Sequence, residues 1–274
     1  MFVCGRRVVR FVYRLYNDDC LKVMPELEVA SVDLILCDLP YGTLNKTNPN
    51  AQWDKPLPFD TLWENYSRVL KPNGVVALFG QGVFFAELIL SNRGAFRYDL
   101  VWDKQLTSDF LNADKKPMRV HEQIAIFYNG TPTYNPQMTR GKPLHGKGMK
   151  YKQGIKNSAY GNFKVQAQSQ TYNADGTVDK YPTTLISVPK PHPSVAVHTT
   201  QKPVELLEWL IRTYTNEGDL VLDNCMGSGS TGVAALNTNR NFIGIESDSD
   251  YYKIASDRIK DSESIVTLNL DELI

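Results

Sequence analysis

The sequence predicts an α/β fold, with a mostly parallel sheet, helices on both faces and a loop-rich insertion. Strand-like and helix-like segments alternate at both ends of the chain, which is the pattern of a parallel sheet with crossover helices. Several short apolar runs end directly at an acid or a glycine, as buried parallel strands do. No regular period persists between about residues 130 and 195. We therefore divide the chain into a first part at 1–129, an insertion at 130–195 and a second part at 196–274.

The first part contains five predicted strands and three predicted helices. Compact runs of aliphatic and aromatic residues predict the strands at Tyr13–Asp18, Val32–Cys37, Val75–Phe79, Tyr98–Trp102 and Gln123–Tyr128. Helical spacing of apolar residues predicts the helices at Cys20–Leu27, Phe59–Leu70 and Phe84–Leu90. The segment Lys71–Gly74 contains a proline and a glycine, which predict a turn before the third strand.

Regular patterning resumes in the second part. An apolar stripe from Leu206 to Tyr214 predicts a helix, and Pro203 suits its first turn. Strands are predicted at Leu220–Asp223 and Asn241–Ile245. A glycine-rich turn between these two strands leads into a helix, and Tyr251–Ile259 is the last predicted helix.

Composition indicates a folded protein and leaves its partners open. The 274 residues include 30 basic and 30 acidic side chains, 42% are hydrophobic and 22% are charged. These values argue against a disordered tail protein and against a uniformly basic coat for nucleic acid. No apolar run is long enough to cross a bilayer, and arginines interrupt the N-terminal apolar residues, so we expect neither a membrane span nor a signal peptide.

The charges are divided unevenly along the chain. The segment 123–174 carries seven basic residues and no acid, so the remaining residues carry 23 basic and 30 acidic side chains, a balance of −7. Tyrosine, asparagine and glutamine are interleaved with the basic residues, which favours contact with a polyanion over a plain solvated loop. The candidate contacts are Arg140, Lys142, Lys147, Lys150, Lys152, Lys156 and Lys164.

The cysteines and histidines predict neither a metal site nor a disulfide. The four cysteines are scattered without a CxxC pair, and the four histidines lack the spacing of metal ligands. Few and scattered thiols fit the reducing cytoplasm, where we expect the protein to act.

The glycine-rich turn after Asp223 predicts a nucleotide-type pocket. Gly227, Gly229 and Gly232 satisfy the GxGxxG pattern, and Glu246 follows Gly227 by 19 residues, as in a dinucleotide-binding fold. A carboxylate just before the turn would repel a pyrophosphate and would suit a cationic ligand such as S-adenosylmethionine. Glu246 could accept hydrogen bonds from the ribose hydroxyls of that ligand. A tight turn without any ligand is the alternative.

A second turn lies at the end of a buried strand, where α/β sheets place their ligands. It reads Asp38-Leu39-Pro40-Tyr41, and alone it would be an ordinary proline turn. Together with the glycine-rich turn, it resembles the catalytic motif (D/N/S)PP(Y/F) of the DNA amino-methyltransferases, with leucine in place of the first proline.

Three longer segments carry the same resemblance. LVLDNCMGSGSTG at 220–232 is similar to the family's cofactor motif, HTTQKPVELLEWLI at 198–211 to the segment that precedes it, and NDDCLKVMPELEVASVDLILCDLPYG at 17–42 to its N-terminal stretch. The order of catalytic turn, insertion and cofactor turn resembles the permuted β class. The resemblance implies a Rossmann-like methyltransferase fold with a seven-stranded, mostly parallel sheet.

The resemblance also implies roles for individual residues. The catalytic residues would be Asp38, Leu39, Pro40 and Tyr41, which hold the amino group and stack on the base. The residues that bind S-adenosylmethionine would be Asp19, Asp38, Gln201, Lys202, Pro203, Asp223, Met226, Gly227, Ser228, Gly229, Thr231 and Glu246. The basic insertion would recognise double-stranded DNA.

The function implied is transfer of a methyl group to N6 of a flipped adenine, since an acid at the first motif position is commoner in adenine-directed members. Methylation of cytosine N4 is the first alternative. Methylation of RNA or of a protein glutamine, a nicotinamide-dependent oxidoreductase and a non-catalytic DNA-binding module are further ones. A homodimer and a cognate restriction endonuclease are the expected protein partners.

Overall fold

The computed structural model describes residues 12–43, 54–108, 110–142, 173–191 and 201–271, with side chains up to Ser262. The chain divides into two compact units. The larger unit comprises residues 1–135 and 184–274, and the smaller unit comprises residues 136–183. The predicted limits of the insertion, 130–195, stay a prediction.

An eight-stranded sheet forms the centre of the larger unit. The strands in chain order are β1 (Tyr13–Tyr16), β2 (Val32–Cys37), β3 (Leu70–Gly80), β4 (Phe96–Ser108) and β5 (Arg119–Phe127), then β8 (Leu185–Ser187), β9 (Leu220–Asp223) and β10 (Asn241–Ile245). Their order across the sheet is β1-β10-β9-β2-β3-β5-β4-β8. Among these strands only β5 runs antiparallel to its neighbours. The predicted fold class, an α/β fold with a mostly parallel sheet, is confirmed.

Helices cover both faces of this sheet. They are α1 (Cys20–Val23), α2 (Phe59–Val69), α3 (Gly82–Ser91), α4 (Val204–Tyr214), α5 (Ser230–Asn237) and α6 (Ser249–Asp271). The first three pack on one face through residues such as Leu62 and Phe85, and the last three pack on the other through residues such as Leu207 and Ala235. Residues of β2 alternate between the two apolar clusters, because successive strand side chains point to opposite faces.

Several elements differ from their predictions for identifiable reasons. The Lys71–Gly74 segment lies within β3, as an irregularity in its pairing with β2, where Val32 is opposite Leu70 and Leu34 is opposite Val75. The first helix changes to a 3₁₀ turn at Met24, next to Pro25. The sheet has eight strands where seven were predicted, because the short strand β8 lies within the irregular sequence before residue 195.

The smaller unit contains a two-stranded antiparallel ribbon. Strands β6 (Thr139–Gly141) and β7 (Val178–Lys180) pair with Arg140 opposite Asp179. The Arg140 Nε lies 3.7 Å from the Asp179 carboxylate, and both side chains are at least half exposed. Of the candidate DNA contacts, Arg140 and Lys142 belong to the described residues. Lys147, Lys150, Lys152, Lys156 and Lys164 lie outside them.

Candidate active site

The carboxyl ends of the parallel strands surround one cavity in the larger unit. An acidic residue lies at or just after the C-terminal end of each of the strands β1, β2, β9 and β10. These acids are Asp19, Asp38, Asp223 and Glu246, respectively. Parallel strands place these residues at the same edge of the sheet. The cavity has a volume of about 550 Å³, which is within the range of small-molecule sites.

Most of the predicted site residues line this cavity. They are Asp19, Asp38, Leu39, Pro40, Tyr41, Gln201, Lys202, Asp223, Met226, Gly227, Ser228, Thr231 and Glu246. Residues from the first and second parts of the sequence, more than 160 positions apart, therefore face one space. Their assigned roles stay predictions.

Pro203 and Gly229 were predicted to bind the cofactor, but neither is among the cavity-lining residues. Pro203 caps α4 with an extended backbone, and its carbonyl accepts from the Leu207 N–H at 3.3 Å. Gly229 caps α5 in the left-handed region, with φ of 78°. A Cβ atom at Gly229 would lie 2.9 Å from the Ala255 Cα on α6. Close packing of α6 on the turn therefore accounts for this glycine.

The Asp38 carboxylate is held by two hydrogen bonds at the cavity wall. The Tyr41 hydroxyl donates to Oδ1 at 2.6 Å, and the Lys202 ammonium donates to Oδ2 at 2.5 Å. The Tyr41 ring stacks on Phe84 with centroids 4.6 Å apart. The Leu39 side chain is 3% exposed within the core, so an aliphatic side chain at this position packs well.

Asp54 fixes the end of the same turn. This buried carboxylate accepts from the Gly42 N–H at 2.9 Å and from the Thr43 N–H at 2.7 Å. Gly42 has a φ of 69°, a left-handed conformation that glycine adopts readily. The turn that presents Asp38 and Tyr41 is therefore braced at both ends.

Lys202 lies between two carboxylates. Its ammonium contacts Asp38 and also lies 3.2 Å from Glu122, which is 3.4 Å from Lys104. Burial alone would lower the pKa of Lys202, but the negative charges of Asp38 and Glu122 outweigh it and raise the pKa above its ordinary value. Burial would raise the pKa of Glu122, but Lys202 and Lys104 lower it overall. Lys202 is therefore a cation and Glu122 an anion at neutral pH.

The acid before the glycine-rich turn is almost fully buried. Asp223 accepts from the Thr231 hydroxyl at 2.6 Å and from the Cys225 N–H at 3.1 Å. Burial raises its pKa to about 6, although these hydrogen bonds act in the opposite direction. Asp223 therefore carries its charge at neutral pH at an energetic cost, which a cationic ligand would reduce.

Glu246 lies across the glycine-rich turn from Asp223. One of its oxygens accepts from the Gly227 N–H at 2.9 Å, and the other accepts from the Asp248 N–H at 2.9 Å. Burial raises its pKa, with these backbone bonds opposing the shift. Each carboxylate oxygen has a second lone pair, so Glu246 can still accept hydrogen bonds from a ligand.

Three cysteines also line the cavity, and they are poor nucleophiles. Burial raises the pKa of Cys37 to about 12. A hydrogen bond with Cys225, followed by burial, raises the pKa of Cys20 further. At neutral pH both are thiols, and a thiol does not attack a base. Within the described residues no cluster of His, Cys, Asp and Glu could hold a metal ion, and no helix there has the length and hydrophobicity to span a membrane.

Glu122 and Lys104 were missed by the sequence analysis. The predicted strands stopped at Trp102 and began at Gln123, whereas β4 continues to Ser108 and β5 begins at Arg119. The sequence signal was a charged residue on the buried face of a strand. Side chains two positions apart in a strand point to the same face, so Glu122 shares the face of Ile124, and Lys104 shares the face of Trp102. Gln81 and Lys190 line the cavity too, without a comparable sequence signal.

The comparisons with known proteins agree with this architecture. The DNA methylase family model for N6- and N4-directed enzymes matches residues 32–257. The Type II methyltransferase M.HpaI of Haemophilus parainfluenzae is 28% identical over 91% of this chain and 74% of its own length. The DNA adenine methyltransferase YhdJ of Escherichia coli (strain K12) is 27% identical over 89% of this chain and 82% of its own.

Two solved structures have the same fold. The complex of M1.HpyAVI with S-adenosylmethionine matches with a TM-score of 0.60 at 23% identity, covering 90% of this chain and 99% of that one. The cytosine-N4-specific PvuII DNA methyltransferase matches with a TM-score of 0.59 at 16% identity, covering 92% of both chains. Because the family model spans most of the sequence, the chain belongs to the DNA methylase family and is an S-adenosylmethionine-dependent methyltransferase of amino groups in DNA.

Proposed function

We propose that the protein methylates N6 of adenine in double-stranded DNA, with Asp38 as the residue that contacts the amino group. The observation that carries this proposal is the Asp38 carboxylate, which two hydrogen bonds fix at the wall of the cavity. Family membership sets aside the nicotinamide-dependent oxidoreductase and the non-catalytic DNA-binding module.

The donor set of the cavity fits S-adenosylmethionine. Six acidic residues and three lysines line the cavity, so acids outnumber bases. Asp223 carries its charge although burial disfavours it, and backbone amides of the glycine-rich turn already bond to carboxylates. This arrangement disfavours a polyphosphate and favours a ligand with cationic groups. Bound S-adenosylmethionine supplies an electrophilic methyl group on a sulfonium. The residues proposed to hold it are Asp19, Gln201, Asp223, Met226, Gly227, Ser228, Thr231 and Glu246.

Asp38 and Leu39 would activate the amino group of the base. The lone pair of an exocyclic amine is delocalised into the ring, so the amine is a weak nucleophile. The Asp38 carboxylate and the Leu39 main-chain carbonyl accept its two N–H groups and draw the nitrogen towards tetrahedral geometry. After methyl transfer the nitrogen carries an extra proton, which the Asp38 carboxylate can receive. The rate then depends on positioning and on the arrangement of charge.

Tyr41 would stack on the base once it has left the duplex. Its ring is fixed by Phe84 on one side and by its hydroxyl on Asp38, so the stacking surface is ordered before the base arrives. Stacking on an aromatic ring helps to offset the cost of unpairing. Lys202 would act as a positioning residue, because it orients Asp38 and stabilises its negative charge.

The choice of adenine over cytosine rests on two supports. Asp38 is the acid that occurs more often at this motif position in adenine-directed enzymes, and the relative YhdJ is named as an adenine methyltransferase. Cytosine N4 is the alternative, because the PvuII enzyme with the same fold is cytosine-specific.

The basic residues of the insertion are the proposed contacts for DNA phosphates and bases. The acid-free segment 123–174 contains all seven of them. Lys and Arg neutralise phosphates, and Asn, Gln and Arg read base edges. A homodimer and a cognate restriction endonuclease stay predictions.

The deciding experiment is mass spectrometry of nucleosides from unmethylated phage DNA that has been incubated with the protein and S-adenosylmethionine. We expect N6-methyldeoxyadenosine, and N4-methyldeoxycytidine would overturn the choice of base. Asp38→Asn should reduce the yield by about 100-fold or more, as expected when an acceptor is lost at the reacting atom. Asp60→Asn, an exposed aspartate on α2, is the matched control. Sequencing of the product maps the recognised site.

A further inference from the structure

A hairpin leaves the sheet at the same edge as the cavity. Strand β5 is antiparallel to both β3 and β4, so β4 runs in the same direction as β2 and β3. The C-terminal end of β4 therefore lies at the carboxyl edge of the sheet. Trp102 and Glu122 are partners in register, and both line the cavity. Beyond this pair β4 continues to Ser108 and β5 begins at Arg119, and a 3₁₀ turn is formed at Phe110–Asn112. We call the described residues 104–108 and 110–120 the hairpin.

The base of this hairpin is fixed to the cavity wall. The Lys104 ammonium donates to the Ser108 hydroxyl at 3.0 Å, and that hydroxyl donates to the Arg119 carbonyl at 3.2 Å. The Arg119 guanidinium in turn donates to the Gln81 side chain, which lines the cavity. The hairpin therefore has a defined position relative to Asp38.

The tip of the hairpin is apolar and exposed. Phe110 and Leu111 are 73% and 79% exposed, although both are large hydrophobic side chains. They lie in a 3₁₀ turn closed by the hydrogen bond from the Ala113 N–H to the Phe110 carbonyl at 3.2 Å. Adjacent exposed apolar side chains on a formed turn indicate a surface that contacts a partner.

Two exposed cations lie close to the tip in sequence. Lys104 is buried and paired with Glu122, and residues 105–120 carry three basic and two acidic side chains, a balance of +1. Lys115 and Lys116 follow Leu111 within five residues, and both are exposed. This combination of an apolar tip and flanking cations is complementary to a DNA duplex, which presents stacked bases inside a phosphate backbone.

We propose that Phe110 and Leu111 enter the DNA duplex and fill the space left by the target base when it moves into the cavity. This inference rests on the proposed function, because only a base with a buried amino group has to leave the stack. The Phe110 ring stacks on the neighbouring base pair, and Lys115 and Lys116 meet the phosphates. The tip thus acts on unpairing of the base and leaves the methyl-transfer step itself unchanged.

The test compares two synthetic duplexes that carry the mapped recognition site. One is fully paired, and the other has an abasic position opposite the target, so that no base pair has to be broken. The variant is Phe110→Ala/Leu111→Ala. The control is Val29→Ala, which removes a 62% exposed side chain that precedes β2, at the opposite edge of the sheet.

For the double variant we expect kcat/KM to fall by about tenfold or more on the paired duplex and by less than about threefold on the unpaired one, since stacking at the gap matters only where pairing is lost. A 2-aminopurine at the target position should become fluorescent with the wild type and with Val29→Ala, but not with the double variant. Equal loss on both duplexes, or no loss on either, would overturn the proposal.

A second copy of this chain is the other partner that an apolar tip could meet. If the double variant changes the oligomeric state in sedimentation, the hairpin is a subunit contact and the proposal is wrong. Failure of the proposed function has a separate signature, because the wild type itself would then produce no methylated nucleoside.

Discussion

Lys202 and its two carboxylates connect the interior of the fold with the proposed chemistry. The Lys202 side chain is 10% exposed and its ammonium contacts Asp38 and Glu122, while Lys104 balances the second carboxylate. The four charges sum to zero. A buried pair of opposite charges adds little stability over an apolar pair, but loss of one partner leaves an uncompensated charge in the interior.

The charge balance predicts that a substitution at Glu122 restores part of the stability lost by a substitution at Lys202. We expect Lys202→Met to lower the free energy of unfolding by about 3 kcal/mol, since a buried anion loses its partner. Lys202→Met/Glu122→Gln should recover at least about 1 kcal/mol of this loss, because Asp38 and Lys104 then balance each other. Urea denaturation gives both values.

The control for this rescue is Arg212→Met. It breaks the contact between Arg212 and Glu208 on α4, where the arginine side chain is 44% exposed and Glu208 keeps a hydrogen bond from Asn237, so the loss should stay below about 1 kcal/mol. Strictly additive effects of Lys202→Met and Glu122→Gln would show that the two residues are not coupled.

Asp223 predicts that cofactor affinity depends on pH. Its pKa is raised to about 6 by burial, so the carboxyl gains a proton and loses its negative charge as the pH falls through that value. We therefore expect the Kd for S-adenosylmethionine to rise between pH 6 and pH 5 by up to about tenfold, the limit for one linked proton. Isothermal titration calorimetry from pH 7 to pH 5 measures this change.

Asp223→Asn separates this effect from the titration of Glu246, whose pKa is also raised. The variant should bind the cofactor more weakly at pH 7. The part of the pH dependence of the Kd that is caused by titration of Asp223 should be absent. A wild-type affinity that is constant from pH 7 to pH 5 would contradict the assignment.

At the scale of elements, the packing of α6 against the glycine-rich turn predicts a specific cost for a side chain at Gly229. An alanine there combines left-handed strain with a Cβ atom 2.9 Å from Ala255. We expect Gly229→Ala to lower the free energy of unfolding by about 2–5 kcal/mol, the sum of backbone strain and overpacking. Gly82→Ala is the control, because Gly82 has a φ of 59° with no atom near the added Cβ.

Gly82→Ala should therefore cost about 1–2 kcal/mol, the strain alone. Thermal and urea unfolding of the two variants, measured side by side, give the difference. Equal losses would mean that α6 moves away from the turn at little cost, and that the packing of α6 does not require this glycine.

The same element scale shows which parts of the fold could be predicted. Strand Val32–Cys37 has its predicted bounds because every residue in it is buried, so the apolar run and the strand coincide. Strands β4 and β5 were predicted too short, because their outer halves carry polar and charged residues with no apolar alternation. Pairing between the two strands, and not local sequence, sets their length.

The candidate site could be predicted where its residues follow directly from a strand in the local sequence. Asp38, Asp223 and Glu246 could be identified because each ends an apolar strand, where the sheet places ligands. Glu122 and Lys104 carry a local signal, a charge on the buried face of a strand, but the sequence does not show that Glu122 pairs with Lys202 from a distant segment. For Gly229 the sequence does not separate the two reasons for a glycine, because one demanded by helix packing has the same appearance in sequence as one demanded by a ligand.

At the scale of the whole molecule, the net charge is zero because two oppositely charged parts of the sequence cancel each other. Residues 123–174 carry +7 and the remainder carries −7. The acidic portion includes the cavity proposed for a cationic cofactor, and the basic segment contains the proposed DNA contacts. The two ligands should therefore respond differently to salt, since a phosphate backbone releases counterions on binding and a small zwitterionic cofactor does not.

We expect DNA affinity to fall steeply with salt, with a slope of log K against log salt of up to about −6 if all seven basic residues contact phosphates. Affinity for S-adenosylmethionine should change little over the same range. Lys150→Ala/Lys152→Ala/Lys156→Ala should reduce the steepness of the slope by up to about 3 and weaken binding to all sequences alike. Fluorescence anisotropy with a labelled duplex at several salt concentrations measures these slopes.

Removal of the same amount of charge elsewhere provides the control. Arg93→Ala/Lys253→Ala/Lys260→Ala deletes three exposed cations outside the basic segment and gives the protein the same net charge as the first triple variant. If general attraction to the polyanion were the cause, both triple variants would reduce the slope equally. A reduction confined to the lysines at 150, 152 and 156 would assign the phosphate contacts to the segment itself, because released counterions report local contacts.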